Sequence, residues 1–290
     1  MSNKTRCYEI AGIPVALTGE AELFFEDDGI LAGFRNDSAE PAWVYSLGFS
    51  DALAVPDGAL CASEPGFCVV RSGEDVLTYF GAAAPDAPGV YAMTQRTPNE
   101  SAIRYLRTEY IRQISPKQAL RCMELPHLLA VNDGVLLHCA WIRWNGKGIL
   151  FTAPSGVGKS TQARLWCETM GAELINGDRA AIRIRDGLAC ACGIPMSGSS
   201  DVRKNEVMPI WAIVYLTQAP VCKIERLRGV RAFRRVWEGC TLPMWDRADM
   251  ERLTDTVGRI IGQIPVFHLA CTPDQRAVDL LHETIEVTQC

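Results

Sequence analysis

The chain has no apolar run approaching the roughly 18 residues that would read as a membrane span. Its longest apolar stretches, such as Gly134–Ala140, are strand-sized. No apolar segment follows Met1-Ser-Asn-Lys-Thr-Arg, as a secretory signal would require. A basic excess is missing too. The 29 Lys and Arg stand against 34 Asp and Glu, a net charge of −5, which argues against a general nucleic-acid binder and leaves room only for a local basic groove. There is no Cys-x-x-Cys pair among the 12 cysteines, and 12 in 290 residues is far below the density of a disulfide scaffold. Cys190-Ala191-Cys192 has the wrong spacing for a zinc knuckle and reads as a strand with both thiols on one face. Internal repeats and low-complexity tails are absent as well. These absences predict a cytoplasmic protein with reduced thiols and neither a membrane nor a nucleic acid as partner.

What is present is ordinary globular composition, 48% hydrophobic and 22% charged, over a length that suggests about two domains. In the first hundred residues, short apolar runs (Ile13–Leu17, Ala42–Leu47, Phe67–Val70, Val76–Phe80) alternate with turn-forming clusters, which predicts a β-rich module. Gly81–Pro98 reads as loop. Ile103, Leu106, Tyr110, Ile111 and Ile114 have helical spacing and predict a helical linker over Ser101–Leu120. The boundary is expected between Asn99 and Asp133, and is set at 124/125. This gives a β-rich (α+β) domain over residues 1–124 and a second, larger α/β domain over 125–290.

The second domain alternates strands and helices. Val135–Trp144 and Lys147–Ala153 flank Asn145-Gly146, which readily forms a two-residue hairpin turn. A helix over Ser160–Met170 and strands over Ala172–Asn176, Ile210–Leu216 and Val266–Ala270 follow. Thr272, Pro273 and Gln275 predict a capping box at the start of the last helix. Trp141, Trp144, Trp166, Trp211 and Trp237 fall on apolar faces and are read as core.

Between the second hairpin strand and its helix lies Ala153-Pro154-Ser155-Gly156-Val157-Gly158-Lys159-Ser160, a Walker A pattern with Ala in place of the first Gly. Glycines at this spacing let backbone N–H groups curl around phosphate oxygens at the positive end of a helix. Lys159 then reaches the β- and γ-phosphates, Ser160 can ligate Mg²⁺, and Thr161 completes the nucleotide-binding set. No guanine-reading Asn/Thr-Lys-x-Asp and no apolar strand ending in Asp-Glu accompany it, which disfavours a GTPase or a motor. Asp178, just past the next strand, is suited to Mg²⁺ or to taking a hydroxyl proton.

His138 on the upstream strand, Pro154–Ser160 and Asp178 together resemble the HPr serine kinase/phosphorylase group. They are closer still to the HPr-kinase-related proteins found in bacterial peptide-modification and other gene clusters. Similar stretches are Gly193–Ser200 and Pro265-Val266-Phe267 leading to Cys271-Thr272-Pro273-Asp274, so the likeness covers Leu125 to about Thr284. The resemblance implies a P-loop kinase core related to phosphoenolpyruvate carboxykinase. It also implies ATP and Mg²⁺ as cofactors, Lys159 on phosphate, Ser160 and Asp178 on metal, and His138 beside the transfer site. The family carries two adjacent aspartates where this chain has Gly177-Asp178, so Asp178 must act as metal ligand, base or both.

Further candidates for phosphate or substrate contact are Arg179, Ser197, Ser199, Arg203 and Lys204; the last four belong to a small-residue loop ending in cations. Arg231, Arg234 and Arg235 share a helix face, either a dock for an acidic peptide or subunit, or a solvated surface. The leading expectation is transfer of the γ-phosphoryl group of ATP to a hydroxyl. By resemblance the acceptor is Ser or Thr of a peptide or small protein, a natural-product precursor included. A small-metabolite kinase, a phosphorolytic activity, and a regulatory nucleotide-binding module with little catalysis are the alternatives. A homo-oligomer is compatible with each of these readings.

Overall fold

The computed structural model describes residues 3–25, 29–97, 100–111 and 114–289. It is a mixed α/β structure with two large mixed sheets, and the chain divides into two compact units, Met1–Leu125 and Pro126–Cys290. Asn99, at the near limit of the expected boundary, lies outside the described residues.

In the first unit, β1 (Asn3–Ile10), β2 (Ile13–Glu20), β3 (Trp43–Ser50), β4 (Ala59–Glu64), β5 (Phe67–Ser72), β6 (Asp75–Phe80), β7 (Ala92–Arg96) and β8 (Glu100–Leu106) form one sheet. Its order is β1-β2-β3-β8-β7-β6-β5-β4. The β2–β3 and β3–β8 pairs are parallel, and the remaining pairs are antiparallel. The helix expected over Ser101–Leu120 is not there, and β7 occupies part of the segment read as loop. Ser101, Ile103 and Tyr105 are buried while their neighbours are not, so a period of two overrides the helical spacing and β8 is a central strand. Only short helices follow, α1 (Arg107–Ile111) and α2 (Pro116–Cys122). The latter starts with a capping box between Ser115 and Gln118.

The second unit opens with α3 (Leu125–Ala130) and the hairpin β9 (Gly134–Trp144) and β10 (Lys147–Thr152). Asn145 and Gly146 both have positive φ, as the turn requires. Next come α4 (Lys159–Met170), β11 (Glu173–Asn176), β12 (Arg179–Arg185), β13 (Leu188–Cys192), β14 (Val207–Gln218) and β15 (Lys223–Leu227). The chain ends with α5 (Gly229–Trp237), α6 (Arg247–Gln263), β16 (Val266–Cys271) and α7 (Gln275–Gln289). No described helix is long and apolar enough to cross a membrane.

Two long strands organise this unit. The first half of β9 pairs with β12 and its second half with β10. Likewise β14 begins against β13 and continues between β10 and β16, parallel to both. Side chains alternate along β9. Val135, Leu137, Cys139 and Trp141 join one buried cluster with Val236, Val257 and Ile260 of α5 and α6. Ala140 and Ile142 join another with Trp166 and Leu281 of α4 and α7. Trp141 and Trp166 are fully buried, Trp144 and Trp211 nearly so, while Trp237 is half-buried and stacks on Phe233. The last helix begins at Gln275, later than its expected capping box. Asp274 instead accepts from the Arg276 N–H at 3.1 Å, so it is the cap.

Candidate functional site

Strand β10 runs into the loop 153–158 and helix α4. Gly156 and Gly158 take φ of 80° and 125°, and a Cβ built on either would meet nothing within 4 Å. The loop is therefore an open cradle at a helix start, where the first N–H groups have no intrahelical partner. Pro154, Ser155, Gly156 and Ser160 are exposed, and Val157 and Thr161 are half-buried. Lys159 is different. It is only 7% exposed, and its ammonium donates to the carbonyls of Ala153 (3.0 Å) and Pro154 (3.3 Å). Burial pushes its pKa below the ordinary lysine value, against the opposing pull of Cys139 and Asp178.

His138 lies on the same face of β9 as Ala140 and Ile142. Its Nδ1 is 2.9 Å from the Asp178 carbonyl oxygen and 3.5 Å from Asp178 Oδ1. A carbonyl only accepts, so Nδ1 carries the proton and Nε2 of the neutral ring is an acceptor. Burial and the Lys159 charge lower the pKa of His138, with Asp178 opposing, so the neutral form dominates at pH 7. A neutral His138 accepts a hydrogen bond at Nε2.

Asp178 is fixed by its neighbours. Asn176 Oδ1 accepts from the N–H groups of Asp178 (2.9 Å) and Arg179 (3.0 Å), an Asx-type turn that holds both side chains at the end of β11. Arg179 Nε donates to Asp178 Oδ2 at 3.1 Å, and its Nη1 donates to Thr241 Oγ1 at 2.9 Å. The loop after β13 packs onto this turn. Asn176 Nδ2 donates to the Met196 carbonyl at 2.7 Å, and a Cβ on Gly198 would come within 2.9 Å of Asp178 Cβ. A Cβ on Gly177 would lie 2.4 Å from Ser200 Oγ, so Ser200 fills the space a second carboxylate would need.

The remaining candidates separate into two groups. Arg203 Nη1 donates to Ser197 Oγ at 3.0 Å and pairs with Asp201, and Ser199 is exposed. The side-chain bonds of Arg203 and Ser197 stay within their own loop, while the Arg203 backbone bridges to Asn176. Lys204 pairs with Glu173, which also binds Arg143, so its ammonium is engaged at the start of β11, away from the cradle. On α5, Arg231 pairs with Glu225, and Arg234 and Arg235 both pair with Glu238.

Two clefts flank the loop. One, of about 640 Å³, is lined by Gly156, Gly158, Thr161 and Gln162 together with the end of β14, Gln218 included, and with Thr272 just past β16. Gln162 is 2% exposed, and among the described residues its Oε1 has no hydrogen-bond partner. The other cleft, of about 520 Å³, joins Ala153 and Pro154 to His138, Arg179, Tyr215, Arg235 and Thr241. Both volumes suit a small molecule. Gln162, Tyr215 and Thr241 were not singled out in the sequence. The segment carrying Thr241 reaches the site through pairing with β9: His138 N–H donates to the Gly239 carbonyl and Thr241 N–H to that of Leu136, each at 2.8 Å. A Cβ on Gly239 would lie 2.6 Å from Thr152 Oγ1, so glycine is what permits this approach.

No protein-family model matches the chain, and no curated protein matches it in sequence. Among solved structures, it is similar to the Hpr(Ser) kinase/phosphatase from Coxiella burnetii. Identity is 14% and the TM-score 0.29, over 53% of this chain and 95% of that one. A likeness this low carries no functional argument.

Proposed function

We propose that the chain is an ATP- and Mg²⁺-dependent phosphotransferase that moves the γ-phosphoryl group to a hydroxyl. The observation that carries this reading is Lys159. Among the described residues this 7% exposed ammonium, beside an open glycine cradle, donates to two loop carbonyls and has no carboxylate within ion-pair distance, so it is short of the counter-charge that a triphosphate would supply. The cleft with Gln162 is large enough for a nucleoside.

The donor chemistry fits Mg²⁺. The exposed Ser160 hydroxyl and the Asp178 carboxylate are hard oxygen ligands of the few that Mg²⁺ takes beside phosphates. When bound, Mg²⁺ would neutralise charge on the β- and γ-phosphates. The chain's own groups do the rest. Lys159 and the loop N–H groups hold phosphate oxygens. As the acceptor oxygen bonds to the γ-phosphorus and the bond to the ADP oxygen breaks, the hydroxyl proton passes to His138 Nε2. Asp178, 3.5 Å from Nδ1, stabilises the resulting imidazolium.

One observation favours a nucleotide-binding module with slow turnover instead: Gly177 offers no second carboxylate, and Ser200 occupies its space. Incubating the full chain with γ-labelled ATP, Mg²⁺ and cell extract, followed by mass spectrometry of proteins and metabolites, separates the readings. The kinase reading expects a labelled acceptor that is lost with Lys159→Ala. Nucleotide binding with no labelled acceptor supports the module, and no nucleotide binding overturns both.

A further inference from the structure

The second cleft carries more cationic character than phosphoryl transfer alone explains. Arg179 and Arg235 both line it. The Arg235 guanidinium lies 4.4 Å from the centre of the Tyr215 ring, and its Nη1 is shared between Glu238 Oε2 (2.9 Å) and Tyr215 Oη (3.4 Å). Among the described residues, Nε and Nη2 of Arg235 and Nη2 of Arg179 have no protein partner. Contact with the Tyr215 ring and with Glu238 positions the Arg235 guanidinium in advance, which suits a planar or tetrahedral anion. The carboxylates nearby do not balance the cations. Arg179 and Arg235 line the cleft with one carboxylate, Glu238, which also pairs with Arg234 outside it, while Asp178 pairs with Arg179.

The wall of the cleft is built, not incidental. Thr241 takes one hydrogen bond from Arg179, and its backbone is fixed to β9. His138, the proton acceptor of the proposed transfer, opens into the same space. A volume of about 520 Å³ accommodates a metabolite-sized ligand.

We infer that this cleft binds a small hydroxyl acceptor through an anionic group, carboxylate or phosphate, held by Arg235 with Arg179. The inference rests on the phosphotransferase reading for the word acceptor; the anion subsite itself does not depend on it. It favours a metabolite over a peptide or protein as the acceptor.

The test uses the full chain with three small probes, glycerate, glycerol 3-phosphate and neutral glycerol, beside a Ser-containing acidic peptide, with binding followed by ligand-observed NMR. At least one anionic probe should bind at least tenfold more tightly than glycerol. Preference for glycerate identifies a carboxylate, and preference for glycerol 3-phosphate a phosphate. Arg235→Gln should abolish that margin, while Arg235→Lys, which keeps the charge without the fork, should keep part of it. Lys159→Ala should leave the glycerate margin in place, separating this subsite from the loop. Affinity for a non-hydrolysable ATP analogue should stay within twofold in both Arg235 variants. The inference is overturned if neither anionic probe exceeds glycerol, if the margin survives Arg235→Gln, or if only a Ser-containing acidic peptide binds. A chain that binds no ATP analogue yet shows the Arg235-dependent margin would sink the phosphotransferase reading and leave the anion subsite standing.

Discussion

Arg96 in the first unit and Lys159 in the second are both buried cations, each 7% exposed, and their surroundings treat them oppositely. Arg96 Nε and Nη2 donate to both oxygens of Glu124 at 3.0 and 2.7 Å, and Thr78 Oγ1 donates to Glu124 as well. That charge is closed off inside its own network. Lys159 meets two carbonyl oxygens and, among the described residues, no carboxylate within ion-pair distance. A buried pair is lost mainly when one partner is removed. A buried cation without its anion is already in that costly state, and a ligand that brings the anion relieves it. Burial alone does not mark a functional charge; the missing counter-charge does.

The strongest way to break the contrast is to remove each cation. Lys159→Ala should reduce phosphoryl transfer by about 10³-fold, as for loss of an electrostatic clamp, with no loss of thermal stability. Arg96→Ala should do the reverse. It leaves Glu124 buried and unpaired and should cost about 3–5 kcal/mol in urea unfolding, while ATP-analogue affinity of the folded protein is unchanged. A Lys159→Ala protein that transfers normally, or an Arg96→Ala protein as stable as the parent, removes the distinction.

The next effect sharpens the role of the site's own ionisable groups. His138→Gln should lower transfer by about 10²-fold or more and flatten the acid limb of its pH profile. In the parent protein that limb should lie below the ordinary imidazole value of about 6.5, because burial and Lys159 disfavour the imidazolium. An alkaline limb in nucleotide binding should fall below the ordinary lysine value, since Lys159 must stay protonated to hold phosphate. The stability effect follows the same sign. The unfolded chain takes the His138 proton more readily than the folded one, so this group destabilises the fold as pH drops below its unfolded value. The effect is small because the side chain is 34% exposed. Equal acid limbs in the parent and His138→Gln would show that another group limits the rate.

The smallest expected effect concerns the wall of the second cleft. Gly239→Ala would bring a methyl group to 2.6 Å from Thr152 Oγ1 and 2.9 Å from Leu137 Cδ1, forcing the segment outward. Acceptor affinity should weaken by up to about tenfold, a fraction of what a full ångström of misplacement costs, with ATP-analogue affinity unaffected in titration. Equal weakening of both ligands would mean that the two clefts are not separable.

Much of the strand–loop–helix unit was legible because its signals are local. Asn145-Gly146 specifies the hairpin turn, and the glycine spacing specifies the loop that follows. Residues 101–106 were misread because Ile103, Leu106 and Tyr110 satisfy a helical period while Ser101, Ile103 and Tyr105 satisfy a strand period. Pairing with β3 and β7 decides between them, and that information is not local. The same holds for the site. Lys159, His138 and Asp178 could be nominated from motif and resemblance, but the destination of Lys204 at Glu173 and the tautomer of His138 depend on tertiary partners. Arg235 looked like one member of a basic helix face. Nothing in its neighbours signals that α5 ends where Tyr215 and Thr241 form the other walls of a cleft.

Strand β9 is bordered by β10, β11, β12 and the Gly239–Thr241 segment, and these neighbours leave the ribosome at very different times. The β9–β10 hairpin is local and closes within microseconds once its residues are free. The Gly239–Thr241 segment must wait for β11 through α5 to be synthesised. A growing chain therefore holds the hairpin that feeds the loop well before it has the wall of the second cleft. In pulse-labelled nascent chains, protease resistance should appear across β9–β10 before it appears at residues 239–241.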